Sequence, residues 1–181
     1  MGAVTILPRS RPLTEVDLET MPDDGHRYEL LDGTLIVSPA PIVKHQRVSM
    51  ELSVLLYAAC PPDLEVLAAP TDVRLAVDTV LQPDLLVARK VDLTEKNLPA
   101  APLLAIEILS PSTRLIDLNT KKARFELAGC ASYWTVDPDS LTLTAWELQD
   151  GTYAEVATVT GDESWTAQHP FPVTVTPSQL A

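Results

Sequence analysis

Glu107 is the residue that most invites a chemical reading, because it sits inside the apolar run Leu103-Leu104-Ala105-Ile106-Glu107-Ile108-Leu109. A carboxylate in such a strand carries a heavy desolvation cost unless a cation or hydrogen-bond donors compensate it. Two placements remain open: the side chain points out from an edge strand or meets one arginine, or it belongs to a site. Asp84 stands at the mouth of the next most apolar run, in Gln82-Pro83-Asp84-Leu85-Leu86-Val87, where Pro-Asp is also a common turn pair. The two acids are spaced as neighbouring strands joined by a loop would space them. Carboxylates brought together repel and do not both stay ionised without a cation between them. Oxygen donors of this kind suit Mg²⁺ or Mn²⁺. Asp84 and Glu107 are therefore expected on adjacent strands, close enough to share one ion.

Glu29 is a third acid, in the strand-like Tyr28-Glu29-Leu30-Leu31 before Asp32-Gly33. Alternation puts Glu29 and Leu31 on one face without saying which face is buried. Lys121 is the candidate cation. On a helix over residues 117–128, positions 117, 121 and 125 share a stripe, so Lys121 lies between Asp117 and Phe125 on a partly apolar face. A lysine reaching inward from there orients an attacking water and steadies charge building on a phosphate. Spacing alone leaves Lys122 as an alternative; if Lys121 points inward, Lys122 is expected about 100° further round, toward solvent.

These residues need a scaffold, and the chain supplies mixed α/β signals throughout. Residues 13–18 read as a short helix with Thr14 as N-cap, after a polar lead containing Pro8, Arg9 and Arg11. Residues 28–31 and 34–37 flank Asp32-Gly33 as a hairpin. Apolar residues recur at helical spacing over 44–59, and Pro61-Pro62 stops that helix. Short strands are expected at 65–69 and 72–77, buried strands at 85–88 and 103–109, and a helix at 117–128 ended by Gly129. Strands at 133–136, 141–148 and 153–159 complete one expected domain over residues 1–181, with Trp134, Trp146 and Trp165 as packing residues.

Composition bounds the function classes. The 181 residues are 46% apolar, enough for a sizeable core, and the net charge is −12. That charge argues against a protein that coats nucleic acid. Its distribution is uneven: all 13 bases and 17 of the acids lie in residues 1–124, while 125–181 carry eight acids and no base. Bases cluster at Lys44 and Arg47 beside His45, and at Arg114, Lys121, Lys122 and Arg124. Lys44, Arg47, Arg114, Lys121 and Arg124 are expected to gather on the side bearing the acids, with the acidic tail elsewhere. Cys60 and Cys130 have no metal-ligand spacing and read as reduced thiols. No leader pattern or bilayer-length apolar stretch is evident, so a cytoplasmic protein is expected.

Taken together, Tyr28-Glu29-Leu30-Leu31-Asp32-Gly33, Ser38-Pro39 with His45, Gln82-Pro83-Asp84, Glu107-Ile108-Leu109-Ser110-Pro111-Ser112-Thr113, Asp117 with Lys121, and Gly129 followed by Tyr133-Trp134-Thr135-Val136-Asp137-Pro138 resemble the Uma-two family of endonucleases. That family is a branch of the PD-(D/E)XK restriction-endonuclease-like superfamily, and the likeness runs over nearly the whole chain. It implies a restriction-endonuclease-like α/β fold, a central mixed β-sheet flanked by helices with a C-terminal β extension. It also implies metal-dependent hydrolysis of DNA, with Asp84 and Glu107 as Mg²⁺ or Mn²⁺ ligands, Glu29 as a further acid near the ion and Lys121 as the lysine. His45, Arg47 and Arg114 are the expected DNA contacts, and a homodimer is expected by analogy. The superfamily's usual lysine lies two positions after the second acid, where this chain has Leu109, so lysine function depends on the helix. Phe125 stands where the family often has tyrosine. A catalytically weak or inactive module of the same fold, binding nucleic acid or protein, is the main rival, and an enzyme acting on a small phosphorylated substrate is a weaker one. Metal binding separates the first rival from a nuclease.

Overall fold

The computed structural model describes residues 10–111 and 113–180. Pro8, Arg9 and Ser112 lie outside the described residues. Thr14 opens the single-turn helix α1 (Glu15–Leu18), its amide donating to the Asp17 carboxylate at 2.8 Å. The first hairpin pairs β1 (Arg27–Leu31) with β2 (Thr34–Ser38), and its turn residues Asp32 and Gly33 both take positive φ, 51° and 73°. Helix α2 (Val43–Ala59) buries His45, Val48, Leu52 and Leu56 and ends before Pro61. Then come β3 (Leu64–Ala68), β4 (Asp72–Ala76), β5 (Thr79–Leu81), β6 (Leu85–Arg89), β7 (Asn97–Leu98) and β8 (Leu104–Ile108). A π-helical turn, Ile116–Lys121, leads directly into α3 (Lys122–Leu127). The chain finishes with β9 (Ser132–Asp137), β10 (Thr142–Gln149), β11 (Thr152–Thr160), β12 (Trp165–Ala167) and β13 (Val173–Val175).

A six-stranded mixed sheet forms the centre, in the order β11-β10-β9-β8-β6-β3, with β8 and β9 parallel and the other pairs antiparallel. Alternation sorts its residues. Leu85, Val87, Leu104, Ile106, Ile108, Trp134 and Val136 pack against α2 and the β12–β13 hairpin. Leu86, Ala88, Ala105 and Tyr133 face the other way, onto Phe125 of α3 and onto Leu31, Val73 and Leu81 of a second, five-stranded sheet ordered β2-β1-β5-β4-β7. Glu107 shares the facing of Ala105 two residues before it. The site thus opens at one end of the layer between the two sheets.

Four short strands lacked a sequence signal. β5, β7, β12 and β13 are two or three residues long, too short for alternation to register. The expected regular helix at 117–128 is instead a π-helical turn followed by α3, with helical backbone starting before Asp117. The Tyr133 hydroxyl donates to the Asp117 carbonyl at 2.8 Å, a tertiary bond that local periodicity does not encode.

Gly33 joins several parts of this scaffold. Its carbonyl accepts from Leu13 and its amide donates to Asp78, while a Cβ at this positive φ would collide with the Pro12 ring. Gly33→Ala is therefore expected to cost about 1–3 kcal/mol and to lower the urea midpoint. An unchanged midpoint would show that the turn tolerates the side chain.

Candidate active site

β1 carries Arg27 and Glu29 on one face, β6 is entered through Asp84, β8 carries Glu107, and the π-helical turn carries Asp117 and Lys121. β6 and β8 pair antiparallel with Leu85 opposite Ile106, which sets Asp84 beside Glu107 on neighbouring strands. The Asp84 carboxylate even reaches the β8 backbone: the Ile108 amide donates to Oδ2 at 2.8 Å.

Lys121 stands at the centre of the acids. Its Nζ lies 2.9 Å from Glu29 Oε1, 3.2 Å from Glu107 Oε1 and 3.6 Å from Asp117 Oδ1. The Gln82 amide donates to Glu29 Oε1 at 2.8 Å. On the far side of Asp84, Arg27 Nη1 donates to Oδ1 at 2.8 Å, and the His45 ring lies 3.0 Å from Oδ2 through Nε2. A carboxylate can only accept, so Nε2 carries the proton in that bond. Glu29, Asp84, Glu107, Asp117 and Lys121 are each at most 3% exposed.

Four buried carboxyl groups thus face two permanent cations, Lys121 and Arg27, with His45 as a third, titratable partner. Burial raises the Glu107 carboxyl well above the usual range; Lys121 opposes this, while Asp117, Asp84 and Glu29 reinforce it. Burial likewise raises Asp117, with Lys121 and the Thr113 hydroxyl opposing. At Asp84 burial is outweighed by the His45 hydrogen bond, the charges of His45 and Arg27 and the Ile108 amide, so its carboxyl is held low. Burial works against the Lys121 charge, but Glu107, Glu29 and Asp117 together raise its pKa and keep it an ammonium. One lysine cannot neutralise three acids, and Glu107 and Asp117 are both driven toward their protonated forms.

Two cavities meet at this cluster. A pocket of ≈ 220 Å³ is lined by Glu107, Asp117, Lys121, Ser110 and Thr113, and a chamber of ≈ 490 Å³ lies beside it. Arg27, Pro41, His45 and Asp84 line both.

The three acids and one lysine singled out in the sequence therefore converge: Glu29, Asp84, Glu107 and Lys121 are neighbours. His45, expected as a DNA contact, is buried against Asp84. Arg47 and Arg114 do not line either cavity. Arg47 is exposed on α2, whereas Arg114 is tied to Asp137 at 2.6 Å and Lys44 to Asp139 at 2.7 Å. Those acids lie at and just past the end of β9, which runs parallel to β8, so part of the acidic segment lies at the site end rather than away from it. Arg124 pairs with Asp32. Lys122 is not simply turned to solvent: its Nζ lies 4.0 Å from the centroid of the Trp146 ring, and partial burial lowers its pKa. Arg27 and Asp117 were missed as site residues. The signals were present, since Arg27 alternates with Glu29 and Asp117 precedes Lys121 by four.

The architecture is mixed α/β, with a buried acid–lysine cluster at one end of a mixed sheet. The model of the Uma2 family, described as putative restriction endonuclease, matches residues 16–180, and the chain belongs to that family. The crystal structure of a putative nuclease belonging to DUF820 from Anabaena variabilis ATCC 29413 superposes with a TM-score of 0.72 at 21% identity, over 93% of this chain and 97% of that one. That likeness establishes the restriction-endonuclease-like fold. Among curated proteins none matches the chain. Among the described residues no helix is long and apolar enough to cross a membrane.

Two stability predictions follow from the charge imbalance. Because folding raises the Glu107 pKa, its contribution is complete below the usual carboxylate range and is lost as pH rises toward the folded value. Glu107→Gln should therefore be more stable than the parent at pH 8, with the advantage shrinking at pH 5; urea midpoints at both values test this, and an advantage that grows toward acid would contradict it. Lys121→Met strands Glu29, Glu107 and Asp117 without their shared cation and should cost about 3–5 kcal/mol. A cost under about 1 kcal/mol at pH 8 would mean that those acids are not ionised around the lysine.

Proposed function

We infer that the protein hydrolyses phosphodiester bonds of DNA with the help of a divalent cation. Family membership and the fold of the structural neighbour point to a nuclease, and one observation carries the metal reading: four buried carboxyl groups share two permanent cations, and Asp117 Oδ1 is buried without a hydrogen-bond partner among the described residues. A hard dication fits that donor set and its missing positive charge. Asp84 and Glu107 are the proposed ligands of Mg²⁺ or Mn²⁺, with Glu29 or Asp117 holding a coordinated water. Among the described residues no three acidic, histidine or cysteine side chains form a ready metal cage. Arg27, His45 and the Ile108 amide already occupy both oxygens of Asp84, so an ion held there has to displace one of those partners.

Such an ion supplies Lewis-acid polarisation of a phosphate oxygen and a lowered pKa for bound water. The chain's own residues do the rest. Hydrolysis adds water across one P–O bond and yields a phosphate monoester and an alcohol. Glu29 and Asp117, beside Lys121, are placed to take the water's proton. The Lys121 ammonium aligns the water and donates to the charge developing on phosphorus-bound oxygen. Arg27, on the wall between the two cavities, supplies a second cation to the bound strand. Exposed Arg47 and half-exposed Arg114 contribute longer-range attraction, which salt should weaken. A homodimer presenting two such sites is part of this reading.

The closed grip on Asp84 also favours a second reading, a family member that has lost efficient chemistry and only binds. Cleavage of mixed DNA substrates with Mg²⁺ or Mn²⁺ decides between them. Cleavage by the parent that falls by about 10²-fold or more in both Asp84→Asn and Glu107→Gln supports hydrolysis. Equal cleavage by parent and variants, or none with either ion, contradicts it.

A further inference from the structure

Helix α2 is apolar on both sides, and among the described residues only one side is covered. Val48, Leu52 and Leu56 are buried in the core against the central sheet, whereas Val43, Met50, Val54 and Tyr57 on the opposite side are 60–77% exposed. A helix that is apolar all round is ordinarily covered all round. At about 100° per residue the four exposed side chains fall within about 60° of arc, so they form one stripe that runs about 21 Å along the helix. Ile42, the N-cap, extends that stripe to the rim of the catalytic pocket. Five of the twelve large apolar side chains exposed among the described residues lie on the stripe or at its end, which makes it a patch and not scatter.

We propose that this stripe is the contact face between two copies of the chain, packed antiparallel about a two-fold axis at Met50. It is the face for the homodimer of the nuclease reading and rests on that reading only for what the paired sites do. Three features select a second copy. The stripe is self-complementary: Val43 and Tyr57 are equidistant in sequence from Met50, so an antiparallel copy sets Val43 against the Tyr57 ring and Met50 against Met50. Its charged edge matches itself as well. Arg47 and Glu51 lie exposed along one flank and Gln46 along the other, and no ion pair holds either charge among the described residues. In an antiparallel pair like flanks meet, which sets each Arg47 beside Glu51 of the other copy; in a parallel pair that flank meets Gln46 and both charges stay unpaired. Finally, the chain's net charge of −12 repels a second copy, whereas α2 carries Lys44 and Arg47 against Glu51 alone, so two copies can meet here. The contact is one helix wide, which sets its expected strength in the micromolar range.

Sedimentation equilibrium of the full chain tests this without reference to cleavage. The parent should dimerise with a Kd of about 10 µM or tighter. Met50→Asp, which sets two carboxylates against each other at the axis, should weaken the dimer at least about 10-fold while the far-UV dichroism of a folded chain is retained. Glu51→Arg should weaken it about 3-fold or more even though it lowers the net charge, and Arg47→Glu combined with Glu51→Arg should restore the parent's value. A parent that stays monomeric at about 100 µM overturns the proposal and leaves the stripe to a partner of another kind. A dimer indifferent to Met50→Asp overturns it too, as does a double variant no tighter than Glu51→Arg. The two readings fail separately. DNA cleavage by a monomer removes the interface alone, whereas a dimer broken by Met50→Asp in a protein that cuts no DNA removes the hydrolase assignment and keeps the interface.

Discussion

Lys121 holds together a cluster that electrostatics would otherwise push apart. Three carboxyl groups reach its ammonium, a fourth is held by Arg27, and none of them has appreciable access to water. In such a medium like charges are separated by little screening, so the arrangement depends on keeping its cations in place, and the carboxyls of Glu107 and Asp117 are pushed upward. The imbalance is costly to stability and useful for function. A site short of positive charge is ready for a divalent ion, which is why the same residues explain both the strain and the proposed chemistry.

The fold answers this need with rigid elements. Glu29 and Glu107 come from two strands and Asp84 from the entry to a third, all with little freedom, and Lys121 comes from a π-helical turn fastened to Tyr133 of β9. The layer between the two sheets excludes water on the apolar side, through Leu31, Leu86, Ala105 and Phe125. The site opens at the end where β8 and β9 run parallel, near the Lys44–Asp139 and Arg114–Asp137 pairs. An overall charge of −12 is thereby compatible with a polyanionic substrate only locally, through a few exposed bases and a cation-hungry pocket.

Much of this was legible because misplaced charge is conspicuous. Glu107 and Asp84 stood out against apolar runs, and the stripe through positions 117, 121 and 125 pointed Lys121 inward even though Leu109 occupies the customary lysine position. What escaped depends on contacts far apart in the chain. Arg27 finds Asp84 only when β1 is laid over β6, and the π-helical turn answers to a tyrosine on β9. Lys122 finds Trp146 on β10, a partner that helical spacing cannot reveal. The second sheet was only partly visible, since β5 and β7 are too short to carry a period of their own.

If a divalent cation binds at these acids as proposed, the carboxyls that burial pushes up must give up protons as it binds. Titration calorimetry of Mg²⁺ or Mn²⁺ into the protein near neutral pH, repeated in buffers of different ionisation enthalpy, measures the protons exchanged on binding. The account predicts saturable binding with net proton release, and loss of that release in Glu107→Gln. Binding with no proton exchange, or no binding at millimolar metal, would contradict it.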